Sequence, residues 1–278
     1  MEKLLPTRYD GPVESGGSTN PWIVFAILES EIDEPRELPY VVKLFSQSNV
    51  EQQPCIAKEF ICNLLAKEFD LLVPESGIIN LHTKFFLKTL KKRERQILEK
   101  KFDGNTYASV LMDGTLVTKG LTNSLNSIEE KATIFAFDCL ILNSDRGGFR
   151  NKPNMLIYEE QFMLIDHELT FSFIDNYNKE GLKKLLYNII EKRQVVPYQF
   201  QQHLFYESLK DYKGVKAGLF DTFNEYLSKL NINKLELLLK ELERNEIYTG
   251  SSIFLMEYLR EIKSNNEKFS ECLYKSIL

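Results

Sequence analysis

The chain has 278 residues, 43% hydrophobic and 27% charged, enough to bury a sizeable core in one large domain or in two lobes sharing a cleft. A formal net charge of -5 is modest for this length, so composition gives no global electrostatic reason to expect a nucleic-acid or membrane partner. The first twelve residues hold no apolar signal core, the longest apolar runs are too short to span a bilayer, and the four cysteines lack CxxC spacing; these features argue against a secreted disulfide framework or a zinc site and lead to the expectation of a cytoplasmic protein.

In chain order, the short β-branched or aromatic segments WIVFAIL (22–28) and YVVKLF (40–45) are parted by an acidic, proline-containing loop, which predicts a small antiparallel sheet over residues 11–45. Ahead of it lies SGGST (15–19), a glycine-containing turn. Ile56, Phe60, Ile61, Leu64 and Leu65 fall at helical spacing, predicting one amphipathic helix over 56–69 that is closed off by Pro74. A strand at GIINLH, a basic helical stretch over 84–101 and a strand at TYASVLM complete a strand-rich first part, ending near Met112. The basic stretch reads as a solvated helix face in preference to a patch for an acidic partner or nucleic acid.

Beyond it the character changes. TNSLNSIEEKATIFAFDCLILN predicts a helix with a stripe at Ala132, Phe135, Cys139 and Leu142. SDRGGFRNKPN is loop chemistry, and MLIYEEQFMLID is two apolar segments around Glu159 and Glu160, a hairpin pattern. Everything after about Lys179 carries leucine or isoleucine at three- and four-residue spacing and reads as helical.

The segment most specific for chemistry is residues 143–171, which sets out an Asp-Arg pair, asparagines, a hairpin and an Asp-His pair in that order. Phosphoryl transfer needs a carboxylate to orient the incoming hydroxyl and oxygen ligands to hold magnesium against the phosphates. Asp145 on the loop can face the acceptor, while an asparagine carbonyl and Asp166 can serve the metal. Lys43 lies inside an apolar strand, where a charge is costly unless it finds a partner or a cleft, and Glu59 on the following helix is the natural partner. Asp138, inside FAFDCLIL, is expected to brace the backbone of the catalytic loop without touching substrate, and His167 to hydrogen-bond the loop.

Asn143-Ser144-Asp145-Arg146, Asn151-Lys152-Pro153-Asn154-Met155-Leu156 and Leu164-Ile165-Asp166-His167 together resemble the catalytic core of HipA-like serine/threonine kinases and, more distantly, of phosphoinositide lipid kinases. The resemblance implies an α+β, two-lobed protein-kinase-like fold, with a strand-rich, nucleotide-binding N-lobe over 1–112 and a mainly helical C-lobe over 113–278. It further implies ATP and Mg2+ as cofactors, Asp145 as the catalytic Asp, Asn154 and Asp166 as metal ligands, and Lys43 with Glu59 at the phosphates. The loop is longer than usual, so Asn151 stands beside Asn154 for the metal role, and Glu168 stands where the family often has glycine. Gly17, Ser18 and Thr19 match the family's loop over the nucleotide, whose serine is phosphorylatable, and a phosphate there would repel ATP. The expected function is phosphorylation of Ser or Thr on a protein substrate, with a regulator or antitoxin as a family-type partner. Two other readings remain, a nucleotide-binding pseudokinase scaffold and an AMP transferase using the same site, and the joint presence of Asp145, Asn154 and Asp166 argues against the first.

Overall fold

Alternation of side chains decides the first strands. In a computed structural model, which describes residues 1–14, 20–117, 127–147, 153–175, 179–194 and 200–278, strand β2 (Trp22–Leu28) buries Trp22, Val24 and Ala26 on one face. Strand β3 (Leu38–Val42) pairs with it antiparallel and buries Tyr40 and Val42. The sheet is larger than the sequence suggests, because Glu2–Pro12 forms a strand, β1, that pairs antiparallel with β2. Its pattern is broken by Pro6, Gly11 and charged residues, and its register slips between Pro6 and Arg8 and between Tyr9 and Gly11. Bulges of this kind hide the period-two signal.

After β3 come a short helix α1 (Gln47–Gln52), capped by Ser46, and the long α2 (Cys55–Glu68). Strand β4 (Ser76–Ile79) pairs parallel with β1, and β5 (Thr106–Val110) joins β3 to β4, so the strands close as β1-β2-β3-β5-β4. Between β4 and β5 the basic stretch is two helices, α3 (Lys84–Thr89) and α4 (Lys92–Leu98), where the sequence predicts one. Leu90 takes an extended conformation between them and lies in the barrel core with Phe86 and Leu98.

In the second half, β6 (Thr115–Leu116) adds a third strand to the hairpin of β7 (Met155–Tyr158) and β8 (Gln161–Leu164). The hairpin turns on Glu159 and Glu160, both with positive φ, the two-residue geometry that matches strand twist. Helix α5 (Ile128–Leu140) starts at a Ser127 cap and is buried from Lys131 to Leu140, on every side, so the expected single stripe is replaced by a fully enclosed helix. The tail is helical as its periodicity predicts: α6 (Lys179–Ile190), α7 (Tyr206–Lys210), α8 (Asp221–Lys229), α9 (Ile232–Arg244), α10 (Ser252–Ser264) and α11 (Asn266–Ser276). Phe69, just past α2, stacks on Phe223 at 4.9 Å and lies 5.6 Å from Phe137.

The chain thus mixes strands and helices, and it divides into two compact units. The first holds Met1–Asn63, Pro74–Asp113 and Leu237–Thr249; the second holds Leu64–Val73, Gly114–Glu236 and Gly250–Leu278. No helix among the described residues is long and apolar enough to cross a membrane.

Candidate active site

In the first unit, Lys43 immediately follows β3. Its backbone is fixed on both sides, with its N-H donating to the Tyr107 carbonyl at 3.4 Å and its carbonyl accepting from Thr106 Oγ1 at 3.2 Å. Those bonds set its buried side chain beside α2, where the ammonium forms an ion pair with Glu59, itself 1% exposed. The structure therefore joins these two residues as their sequence context predicts. A charge pair this enclosed is expensive to assemble and more expensive to break, because removing one partner takes a counter-charge from a buried ion. The Tyr107 phenol nearby is pushed up by burial and then by the Glu59 charge.

In the second unit, α5 delivers Asp138 into the base of the loop that follows it. Asp138 is fully buried. One carboxylate oxygen accepts from Asn143 Nδ2 at 2.9 Å; the other accepts from Arg146 Nε and from His203 Nε2. Burial alone would raise this carboxyl, but the Arg146 guanidinium and the His203 hydrogen bond outweigh it and hold the pKa at about 2. Arg146 passes the restraint on: Nη1 donates to the Asn154 carbonyl and Nη2 reaches His167 Nε2 at 3.3 Å. Asn143 does the same for Asp145, whose N-H donates to Asn143 Oδ1 at 3.1 Å.

Asp145, half-buried, then receives a hydrogen bond from Asn154 Nδ2 at 3.1 Å on Oδ2. With its amide nitrogen so engaged, Asn154 keeps its side-chain oxygen to offer a cation. Asn154 and Asp166 flank the open end of the β7–β8 hairpin, where Met155 pairs with Leu164 and the Ile165 N-H donates to the Asn154 carbonyl at 3.1 Å. Both have left-handed backbones, φ 46° for Asn154 and 61° for Asp166, a conformation Asn and Asp adopt more readily than other non-glycine residues and one that clusters at functional sites. The donors so presented are all oxygens, the ligand chemistry magnesium prefers, and the residues present therefore fit that ion.

The structure thus brings Asp145 and Asn154 into direct contact, sets Asp166 beside Asn154 through the hairpin, and pairs Lys43 with Glu59. Gly17, Ser18 and Thr19, together with Asn151, lie outside the described residues. His167 hydrogen-bonds the loop through Arg146, as its sequence context suggests, whereas Asp138 braces the loop through the side chains of Asn143 and Arg146 and not through the loop's backbone. Arg146 as the hub of these bonds was not foreseen; the only signal was a carboxylate at Asp138 that needed a cation. For His203, a lone histidine in QQHLFYES, the sequence carries no signal at all.

A model of the HipA-like kinase family matches residues 33–211. The chain belongs to the HipA-like kinase family. In this HipA-like kinase the matched span takes in Lys43, Glu59, Asp145, Asn154 and Asp166, and leaves SGGST outside it. Among solved structures, the chain is similar to the crystal structure of a Helicobacter pylori proinflammatory kinase, CtkA, with 12% identity, a TM-score of 0.49, and 99% of this chain and 95% of that chain covered. No curated protein matches the chain.

Proposed function

We propose that the chain is an ATP- and magnesium-dependent kinase that phosphorylates Ser or Thr of a protein. The observation that carries this reading is the Asn154 side chain, which donates to the Asp145 carboxylate while it stands beside Asp166 at the hairpin mouth. One residue thereby links the acceptor-orienting group to the metal-holding group.

In this reading Lys43 binds phosphate oxygens and Glu59 fixes the lysine. Asn154 and Asp166 hold the metal, which when bound neutralises charge on the transferring phosphate. Asp145 takes the proton of the incoming hydroxyl as its oxygen bonds to the γ-phosphorus and ADP departs. The arrangement supplies positioning and charge, which is most of what this reaction asks of a protein.

Incubation with γ-labelled ATP and magnesium, followed on the protein itself and on a lysate, tests the reading. Label is expected on Ser or Thr. Asp145→Ala should lower transfer by about a hundredfold or more with nucleotide affinity nearly intact, since it removes an interaction of the transition state. Asp166→Ala should lose both. Unchanged magnesium-ATP affinity in Asp166→Ala would remove the metal assignment, and transfer from α-labelled instead of γ-labelled ATP would make the chain an AMP transferase.

A further inference from the structure

The loop that carries Asp145 rests on a second segment of the chain, about sixty residues downstream. His203 follows a turn in which its own N-H donates to the Phe200 carbonyl at 3.1 Å. Its ring is buried. Nδ1 accepts from the Phe205 N-H at 3.1 Å and so carries no proton; Nε2 therefore holds the proton and donates to Asp138 at 2.9 Å. The tautomer is set by the backbone of its own turn.

The next residue completes the contact. The Leu204 N-H donates to the Arg146 carbonyl at 3.1 Å, and Gly147 packs so closely on Leu204 that a Cβ there would lie 2.9 Å from the Leu204 Cβ. Gly147 also has φ +86°, a conformation that suits glycine. Three contacts thus join this turn to the loop: His203 to Asp138, Leu204 to Arg146, and Leu204 to Gly147. Everything they touch leads to the proposed reacting groups, because Asp138 holds Asn143 and Arg146, Asn143 holds Asp145, and Arg146 holds Asn154 and His167.

We propose that the turn Phe200–Phe205 is a positioning brace for the catalytic loop, with His203 the positioning residue that fixes Asp138 and, through it, the placement of Asp145 and Asn154. This rests on the kinase reading for its effect on rate, although the brace itself can be observed without turnover. His203 touches no reacting atom. Its donor hydrogen fills a position on the shared Asp138 oxygen; without it the Arg146 guanidinium is the sole donor on that oxygen, and the carboxylate and the arginine it holds can shift together, moving the Asn154 carbonyl bonded to Arg146 Nη1.

Two substitutions at His203 separate donation from packing. His203→Phe keeps a ring against Phe135 and Phe205, whose centroids lie 5.2 Å and 5.7 Å away, but cannot donate. His203→Gln can donate from its amide. The expected result for His203→Phe is a fall in kcat of about tenfold or more with KM for ATP little changed, since small misplacements of reacting groups are costly in rate. His203→Gln should recover most of that loss, and Gly147→Ala, which pushes the loop off Leu204, should fall in kcat as His203→Phe does. In nitrogen-edited NMR spectra, the Arg146 Nε-H and Asn143 amide resonances should move in His203→Phe and return in His203→Gln. A folded His203→Phe variant with wild-type kcat, or with those resonances unmoved, overturns the proposal. Absence of γ-phosphoryl transfer in the wild-type chain would instead remove the kinase reading, and the resonances would then decide the brace alone.

Discussion

Asp138 shows how a single residue can carry both stability and geometry. A carboxylate without solvent survives only if its lone pairs are filled, and here an asparagine, an arginine and a histidine fill them. Its pKa of about 2 lies below the ordinary carboxylate value of 3.8, so the folded state favours the charged form. The stabilisation is therefore fully present above about pH 4 and is lost as pH falls through about 2; its size is on the order of 2 kcal/mol. Urea unfolding followed between pH 7 and pH 2 should show this loss. Asp138→Asn should flatten that part of the profile and cost about 3–5 kcal/mol at pH 7, because Arg146 is left buried without its counter-charge. An unaltered acid profile in Asp138→Asn would mean that other carboxylates carry it. At this scale the sequence was informative wherever a charge stood in an apolar run, as with Lys43 and Asp138, since burial demands a partner. It was silent on His203, because the demand there comes from an atom 65 positions away and leaves no local pattern.

The elements that could be read in advance were those whose pattern is local. Strands β2 and β3, helix α2, the β7–β8 hairpin and the helical tail all follow from period and breakers. Strand β1 and the break at Leu90 do not: β1 is decided by pairing with β2 and β4 across the barrel, and no glycine or proline marks the break. The hairpin turn is the point where local preference and structure disagree. Glu159 and Glu160 hold φ of 47° and 64°, values that Asn and Gly tolerate and glutamate does not favour. Glu159→Asn with Glu160→Gly should therefore raise stability by about 1 kcal/mol in urea unfolding, with no change in register. A loss of stability would show that the two side chains make contacts that outweigh the turn strain.

At the scale of the whole molecule, the first unit depends on a strand that sequence patterning missed. β1 touches two neighbours, β2 antiparallel and β4 parallel, and with it the barrel has no edge. Removing residues 2–12 should expose the edges of β2 and β4 together with the ring of Trp22, which Tyr9 covers at 4.6 Å between centroids. The truncated chain is expected to lose hydrogen-exchange protection in β2 and β4 and to self-associate in size-exclusion chromatography. Retained protection in both strands would show that β1 is an accessory to the barrel and no part of its closure.

The first unit also recruits Leu237–Thr249, where the Asn245 carbonyl accepts from Asn105 Nδ2 at 3.0 Å. This arrangement sets an order on synthesis. A ribosome adds roughly 5–20 residues each second, so β1 waits on the order of ten seconds or more for the segment that finishes its unit. Vectorial completion, N-terminal half first, is denied to this chain: all five barrel strands are made early, yet the unit they form lacks its last segment until most of the second unit has been translated.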